Sequence, residues 1–259
     1  MKEYILITGA SSGIGYEMAL QLAEKKYNLV LAARSVAKLE AMQKELTTKY
    51  GISVEFIEID LSLKNEAQYL YEATKSQKLL VSGLINNAGV GMYGRFENLS
   101  LEEELKMIEL NVASLVTLTK LFGKDMMERK SGRIMNVASL LSFLPFPYYS
   151  TYSATKAFVL AYTETIATEL EGTGVVVTAL CPGTVETPFH TNEMRKTNAM
   201  SANKPMPSSL VAKIGVELFL NGKGKKVVGF MNWFLSNLPR VTPDFLMMKI
   251  KKNLASVKN

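Results

Sequence analysis

Short apolar runs alternate with amphipathic helical segments along most of this chain, and no other feature restricts its fold as strongly. The runs are rich in leucine and β-branched residues, as expected for parallel strands buried on both faces. They are EYILITG, NLVLAARS, SVEFIEIDLS, GLINNAG, RIMNVAS, VVVTALCPG and KKVVG. The alternation predicts an α/β fold: a Rossmann-like, doubly wound parallel sheet of about seven strands with helices on both faces. No linker or repeat interrupts it, so residues 1–259 are expected to form a single domain.

A glycine-rich turn, TGASSGIG, joins the first predicted strand to the first predicted helix and runs from Thr8 to Gly15. Such glycines let the backbone approach a pyrophosphate, while the helix N-terminus offers free N–H groups and a positive dipole end. A simple tight turn is the alternative interpretation. The strand before the turn and the helix after it favour phosphate binding. Three residues separate the first two glycines, so the spacing is not the GxGxxG of ordinary Rossmann dehydrogenases.

A serine, a tyrosine and a lysine are spaced as in a proton-transfer site. Tyr152 follows Ser139 by thirteen positions, and Lys156 follows the tyrosine by four. Residues four apart on a helix share a face, and a nearby ammonium group favours the phenolate, so this pair predicts a general acid/base. Tyr148, Tyr149 and Tyr162 have no lysine at that spacing and are interpreted as packing or pocket-lining residues.

Further motifs occur in a fixed order around this set. TGxxxGxG is followed by NNAG at Asn86–Gly89, by an asparagine in ELNVAS, by YxxxK, and by PG after the sixth predicted strand. In this combination the chain resembles the classical short-chain dehydrogenase/reductase (SDR) family from Ile5 to about Gly229. Within the family it is most similar to the bacterial DltE-type oxidoreductases, a set with diverse substrates.

The resemblance implies a role for each catalytic candidate. Tyr152 would be the acid/base, and Lys156 would lower its pKa and hold the nicotinamide ribose. Ser139 would hydrogen-bond the substrate carbonyl. Asn111 would lie at a distortion of its helix and anchor a water linked to the lysine. A helix-capping or surface amide is the alternative for Asn111, and a strand-end hydroxyl satisfied by the backbone is the alternative for Ser139.

The end of the second predicted strand indicates the cofactor. Family members that use NAD place an aspartate where this chain has Ala33, and Arg34 comes next. A guanidinium suits a 2′-phosphate, so the prediction is NADP(H), with a solvent-facing arginine as the alternative. The resemblance assigns cofactor contacts to Gly9, Ser11, Ser12, Gly13, Ile14, Gly15, Arg34, Asp60, Leu61, Asn87, Ala88, Gly89, Tyr152, Lys156, Pro182, Gly183, Val185 and Thr187.

Composition excludes several other classes of function. The net charge of +6 is scattered, without the aromatic–basic alternation of a nucleic-acid surface. Cys181 is the only cysteine and His190 the only histidine, so we predict neither disulfides nor a metal site. No apolar run approaches the roughly 20 residues of a spanning helix, and the N-terminus does not resemble a signal peptide. These features predict a cytoplasmic protein. His190 is interpreted as a surface residue of a lid.

The substrate region is less defined. Residues 187–207 are polar and proline-bounded, as in a substrate lid. The apolar run Leu140–Pro147 either lines the pocket or packs internally, and Met92 and Tyr93 add to the same wall. The apolar and basic tail, residues 230–259, caps the pocket, packs against another subunit or touches a membrane.

These features predict hydride transfer between NADP(H) and an apolar small-molecule carbonyl or secondary alcohol. Two alternatives stay open: an NADP-binding regulatory or scaffold protein without turnover, and a peripheral membrane reductase of 3-oxoacyl or steroid-like lipids. By analogy with the family, a homodimer or homotetramer is expected to form through the fourth and fifth long helices.

Overall fold

A seven-stranded parallel sheet forms the centre of the computed structural model, which describes residues 2–198 and 204–256. Its strand order is β3-β2-β1-β4-β5-β6-β9, and every neighbouring pair is parallel. The strands are Glu3–Thr8 (β1), Asn28–Ala33 (β2), Val54–Glu58 (β3), Leu80–Asn86 (β4), Gly132–Val137 (β5), Val175–Cys181 (β6) and Gly224–Val227 (β9). A separate parallel pair joins Val185–Glu186 (β7) to Met206–Pro207 (β8). The predicted fold is therefore confirmed.

Helices cover both faces of the sheet. They are Gly13–Glu24 (α1), Val36–Tyr50 (α2), Glu66–Ser76 (α3), Leu101–Ile108 (α4), Ser114–Glu128 (α5), Ser150–Glu169 (α6), Asn192–Arg195 (α7), Ser208–Asn221 (α8), Phe230–Asn237 (α9) and Asp244–Ala255 (α10). Buried residues of α1, α2 and α8 form one core with the sheet, and those of α3 and α5 form the core on the opposite face, where α6 adds partly buried residues. Because both faces are covered, the strands are apolar throughout rather than alternating.

Local sequence signals explain several element boundaries. Helix α2 ends at Gly51, whose φ of 66° is the left-handed conformation that glycine adopts most readily. The hydroxyl of Ser100 accepts a hydrogen bond from the backbone N–H of Glu103 and caps α4. Strand β4 begins at Leu80, three residues before the predicted start. The start of β4 has no sequence signal, because no glycine or proline separates it from the end of α3.

The direction of winding reverses at the centre of the sheet. Strand β1 lies between β2 and β4, so the crossovers from β1 lead towards one edge of the sheet and those from β4 towards the other. In open α/β sheets the crevice at the carboxyl ends of the strands, at this reversal, is where ligands bind. The turns after β1 and β4 therefore meet at the expected location of a site.

Candidate active site

The glycine turn after β1 is closed so tightly that its glycines cannot be replaced without displacement. Gly9 and Gly13 have φ values of 66° and 57°. A Cβ built on Gly15 would lie 2.5 Å from both the carbonyl oxygen of Gly9 and Nδ2 of Asn87. The turn leads directly into the N-terminus of α1, whose first turn carries no acidic side chain. Backbone N–H groups there are free to meet an anion.

Thr8 ties this turn to the NNAG turn after β4. Its Oγ1 accepts hydrogen bonds from the backbone N–H groups of Asn87 and Ala88, both at 3.0 Å. In return, Nδ2 of Asn87 donates to the carbonyl oxygen of Thr8 at 2.9 Å. Thr8 was not among the predicted site residues, although its position directly before the glycine turn was the available signal. The two turns form one hydrogen-bonded unit.

Asn111 lies in a π turn, Glu109–Ala113, between α4 and α5. The helix distortion implied by the family resemblance is therefore present. The Asn111 side chain is buried: Nδ2 donates to the carbonyl oxygen of Val90 at 2.9 Å and to Oγ1 of Thr155 at 3.1 Å, while Oδ1 accepts from the N–H of Val90 at 3.0 Å. These bonds join the long helix to the NNAG turn and to α6. A surface or capping amide is excluded.

Ser139 and Tyr152 meet at the carboxyl end of β5. The Ser139 hydroxyl accepts a hydrogen bond from the N–H of Leu141 at 3.1 Å. The Ser139 side chain also lies beside the phenol of Tyr152. Burial raises the pKa of Tyr152 to about 12, and the neighbouring Ser139 side chain opposes that rise. The phenol is thus protonated at neutral pH.

Lys156 is buried one helical turn beyond the tyrosine. Its Nζ donates to the carbonyl oxygen of Val137 at 2.8 Å. It also lies beside Gly89, where an added Cβ would be 3.4 Å from Nζ. The lysine is therefore anchored between the end of β5 and the NNAG turn. That it lowers the pKa of Tyr152 stays a prediction.

Burial also lowers the pKa of Lys156 to about 8, from an ordinary value of 10.5. Between these values the unfolded chain binds a proton that the folded chain does not, so stability rises with pH. We expect the free energy of unfolding to gain up to about 3 kcal/mol across this window. Lys156→Met should abolish that gain. Urea unfolding of both proteins at a series of pH values measures the difference, with exposed Lys44→Met as the control. Parallel pH profiles for wild type and Lys156→Met would contradict the assignment.

Arg34 emerges from the end of β2 with its side chain 73% exposed. Its Nη1 lies 3.8 Å from Oδ2 of Asp60, which follows β3. The other carboxylate oxygen of Asp60 accepts two hydrogen bonds from Ser62. Burial raises the pKa of Asp60, but the Ser62 bonds and the charge of Arg34 together outweigh it, so the pKa is lowered.

Two other groups of predicted cofactor contacts differ in their surroundings. Leu61 is buried in the core, so its side chain serves packing. The hydroxyls of Ser11 and Ser12 form no hydrogen bond within residues 2–198 and 204–256.

The segment after β6 returns to the glycine turn. A Cβ built on Gly13 would lie 2.9 Å from Cγ2 of Thr187. Pro182 and Val185 are buried, and the carbonyl oxygen of Pro182 accepts a hydrogen bond from the N–H of Leu140 at 2.7 Å. Asn232 of α9 lies against Gly183, leaving no room for a side chain there. The structure therefore brings the predicted PG segment together with the predicted phosphate and proton-transfer residues.

Aromatic rings cover the tyrosine on the solvent side. The ring of Phe189 lies 5.6 Å from that of Tyr152 and blocks any side chain at Gly91. On the other side Tyr149 lies 6.5 Å from Tyr152 and 4.9 Å from Tyr93. Phe189 was not predicted as a site residue, and only its place in the predicted lid hinted at this position.

The predicted lid is partly structured. It contains α7 and β8, and its residues 199–203 lie outside the described part of the chain. His190 is partly exposed, and its ring packs edge-on against Phe189 at 5.4 Å. Partial burial lowers its pKa.

Helix α10 of the tail packs on the loop after β5 and on the segment after β4. Capping of the pocket, one of the three roles left open by the sequence, stays a prediction. Met247 of α10 packs on Leu140 and Leu144 in a small buried cluster. The hydroxyl of Tyr93 donates to the carbonyl oxygen of Ala255 at 2.7 Å. Part of the run 140–147 therefore packs internally, against α10. Residues 257–259 of the tail lie outside the described residues. Within those described, no helix is long and apolar enough to span a bilayer.

Fold and site together define a nucleotide-binding α/β protein with a serine–tyrosine–lysine centre at the sheet reversal. Comparison with known proteins agrees. The family model described as short chain dehydrogenase matches residues 3–198. The chain belongs to the short-chain dehydrogenase/reductase family of oxidoreductases, whose members use NAD(P)(H). The comparisons do not address the DltE-type subgroup, which stays a prediction.

Three relatives indicate the range of this similarity. A very-long-chain 3-oxoacyl-CoA reductase from Pyrenophora tritici-repentis is 35% identical over 243 residues, covering 90% of this chain and 71% of that protein. Human 17-beta-hydroxysteroid dehydrogenase type 3 is 34% identical over 204 residues, covering 76% and 65%. A short-chain dehydrogenase from Sphingobium yanoikuyae, solved in complex with NADPH, has a TM-score of 0.79 at 26% identity and covers 95% of each chain.

The described residues fit such a cofactor. A Cβ at Gly9, Gly13 or Gly15 would collide with neighbouring atoms, so only glycine lets the turn close here. The turn lies at the N-terminus of α1, where a bound phosphate would meet backbone N–H groups. Arg34, an exposed cation, follows the neighbouring strand at a position where an acidic residue would repel a phosphate.

Proposed function

We propose that the protein is an NADP(H)-dependent carbonyl reductase with Tyr152 as its acid/base. The observation that carries this proposal is that Ser139 and the buried Tyr152 lie side by side at the carboxyl end of β5, with Lys156 and Asn111 buried nearby. When bound, the nicotinamide supplies the hydride. The cofactor contacts predicted from the sequence, among them the glycine turn, Arg34 and Thr187, are proposed to hold it.

Each residue has a distinct task in this proposal. The Tyr152 hydroxyl gives its proton to the substrate oxygen, and Ser139 hydrogen-bonds the same oxygen as negative charge develops there. Lys156 donates to the ribose and to the strand end. Asn111 holds α6 and the NNAG turn in register around the lysine, because both amide ends are bonded to them. Because burial raises its pKa, Tyr152 carries its proton at neutral pH, which is the form that reduction of a carbonyl requires.

The substrate is proposed to be a long apolar carbonyl compound that bears an anionic group. The apolar part is supported by the aromatic and leucine walls around Tyr152, and by the names of the relatives, which include a 3-oxoacyl-CoA reductase and a hydroxysteroid dehydrogenase. Consumption of NADPH with 3-oxoacyl thioesters, free 3-oxo acids and oxosteroids of matched size tests this class. No turnover with any apolar ketone, in protein that binds NADPH, would instead support a binding protein without turnover.

The position of Lys251 is the reason to propose an anionic group on the substrate. It lies on the inner face of α10, between Met247 and Ala255 at helical spacing, and is only 7% exposed. Met247 contacts Leu140, next to Ser139, and Ala255 is bonded to Tyr93, so this face borders the pocket. Within the described residues Lys251 forms no hydrogen bond or close ion pair. Burial lowers its pKa, and the negative charge of Asp244 on the same helix opposes that shift. A largely buried cation without a close partner is suited to pair with a ligand anion.

Lys251→Met is therefore expected to raise the KM for an anionic 3-oxoacyl substrate by roughly ten- to a hundredfold, the value of one charge-assisted bond. It should leave the KM for the corresponding neutral methyl ketone unchanged. Steady-state kinetics with both substrates measures this. Exposed Lys252→Met, on the next position of the same helix, is the matched control. Equal changes for the charged and neutral substrates would contradict a charge role.

We also propose a homodimer or homotetramer in a cytoplasmic protein that functions as one domain. The subunits would pair through the fourth and fifth long helices of the sequence, which are the continuous stretch of α4 and α5 and the helix α6. Leu101, Leu105 and Ile108 form an exposed apolar row along α4. Leu105→Glu is expected to shift the protein to monomer in light scattering, because a charge would be buried in the contact. Leu210→Glu, an exposed leucine on α8, should leave the mass unchanged. A monomeric wild type would refute the proposal.

A further inference from the structure

The tail helices present a second, outward surface that the pocket does not use. We define the outer tail face by its exposed apolar side chains: Phe230, Met231, Trp233, Phe234, Val241, Phe245, Leu246, Met248 and Ile250. Phe230, Val241 and Phe245 are 79%, 81% and 80% exposed. The rings of Phe230 and Trp233 stack at 5.9 Å. So many exposed large apolar side chains within a short segment mark an interaction site.

Contacts on the opposite side of the tail helices keep the outer tail face turned towards solvent. Asn232 packs on Gly183, Met247 packs on the loop after β5, and Tyr93 is bonded to the end of α10. Asn198 adds a further tie, from its N–H to the carbonyl oxygen of Ser256 at 3.0 Å. The apolar side chains therefore cannot turn inward to be buried without breaking these contacts.

The basic side chains on the outer tail face favour a negatively charged partner. Arg240, Lys249 and Lys252 are exposed beside the apolar residues, and Asp244 is the one acidic residue between 230 and 256. A second copy of this chain would bring like charges together. A surface of anionic lipids would meet the basic groups with opposite charge and receive the aromatic side chains at its interface.

We infer that the outer tail face docks on the surface of an anionic lipid bilayer, with its apolar side chains inserted among the headgroups. This inference stands on exposure and charge and does not rest on the proposed reductase activity. One consequence does connect the two. Because α9 and α10 are proposed to cap the pocket on their inner side, docking would bring the pocket next to the lipid from which an apolar substrate partitions.

Flotation of the full chain with vesicles tests the inference. Wild type is expected to float with vesicles of phosphatidylcholine and phosphatidylglycerol, and much less with phosphatidylcholine alone. The triple variant Phe230→Ser, Trp233→Ser, Phe245→Ser should lose partitioning by about tenfold or more, since each ring removed forfeits apolar burial in the interface. The double variant Lys249→Glu, Lys252→Glu should lose the part that depends on phosphatidylglycerol.

Matched controls lie elsewhere on the surface. Phe96→Ser removes an equally exposed ring, and Lys44→Glu with Lys49→Glu reverses two charges on α2; both variants should float like wild type. Circular dichroism and NADPH fluorescence check the fold of each variant. If the triple variant is unstable, the flotation of the double variant Lys249→Glu, Lys252→Glu tests the inference instead. Equal flotation of the tail variants and wild type would overturn the inference. So would a wild-type oligomer that fails to float and dissociates in the triple variant, because the face would then be a subunit contact.

Discussion

Tyr152→Phe is expected to lower kcat for NADPH-dependent ketone reduction by roughly a hundred- to ten-thousandfold, the usual contribution of a positioned general acid. The substitution removes the hydroxyl beside Ser139 and keeps the ring that packs against Phe189 and Tyr149. The fold should therefore stay the same, and NADPH should still bind through the remaining cofactor contacts. Stopped-flow measurement of the chemical step, with NADPH binding followed separately by fluorescence, measures both quantities.

Tyr162→Phe is the matched control for this variant. Tyr162 lies on the same helix, stacks on Phe158 and is half-buried, but it does not contact Ser139. Its loss should leave kcat unchanged. If Tyr152→Phe retains more than about a tenth of the wild-type kcat, another group donates the proton and the assignment is wrong.

Arg34→Ala is expected to weaken NADPH binding by roughly ten- to a hundredfold and to leave NADH binding nearly unchanged. The ion pair between Arg34 and Asp60 is long and exposed, so it contributes little and leaves the guanidinium free to meet a 2′-phosphate. Ala33→Asp should weaken NADPH binding further and improve NADH binding, because a carboxylate repels the phosphate and accepts a bond from a 2′-hydroxyl. Calorimetric titration of each variant with both cofactors gives the ratio of dissociation constants.

Arg95→Ala removes another exposed arginine, paired with Glu97 away from the end of β2, and should change neither affinity. A wild type that prefers NADH would refute the NADP(H) assignment. So would an equal loss of both cofactors in Arg34→Ala, which would indicate a general effect on the turn rather than recognition of the phosphate.

The fold and much of the candidate site were predictable because they depend on local signals. Apolar runs buried on both faces define the strands, and glycines with positive φ define the turn after β1. Ser139, Tyr152 and Lys156 were predicted from spacing, and the helix then brings the last two together by its own geometry. Asn111 was predicted from the family motif, and the π turn around it is visible only in three dimensions.

What could not be predicted depends on contacts between distant segments. The ammonium of Lys156 bonds the end of β5, and no spacing rule shows this contact. Thr8, Thr155 and Phe189 have partners that are distant in the sequence, such as Asn87 for Thr8 and Asn111 for Thr155, and periodicity offers no signal for such contacts. The position of the tail was likewise open, because an amphipathic helix shows that one side is buried without showing against what.

Because α10 packs on the loop after β5, the proposed proton-transfer groups and the proposed substrate-binding residues come from different parts of the chain. The groups proposed to move the proton all precede residue 157, whereas Met247, Lys251 and Ala255 come from the last turns of the chain. Substitution or exchange of the C-terminal segment could therefore alter which molecules are accepted while the proton-transfer groups stay in place. Diversification of such a protein can proceed from its terminus, with the reaction itself inherited unchanged.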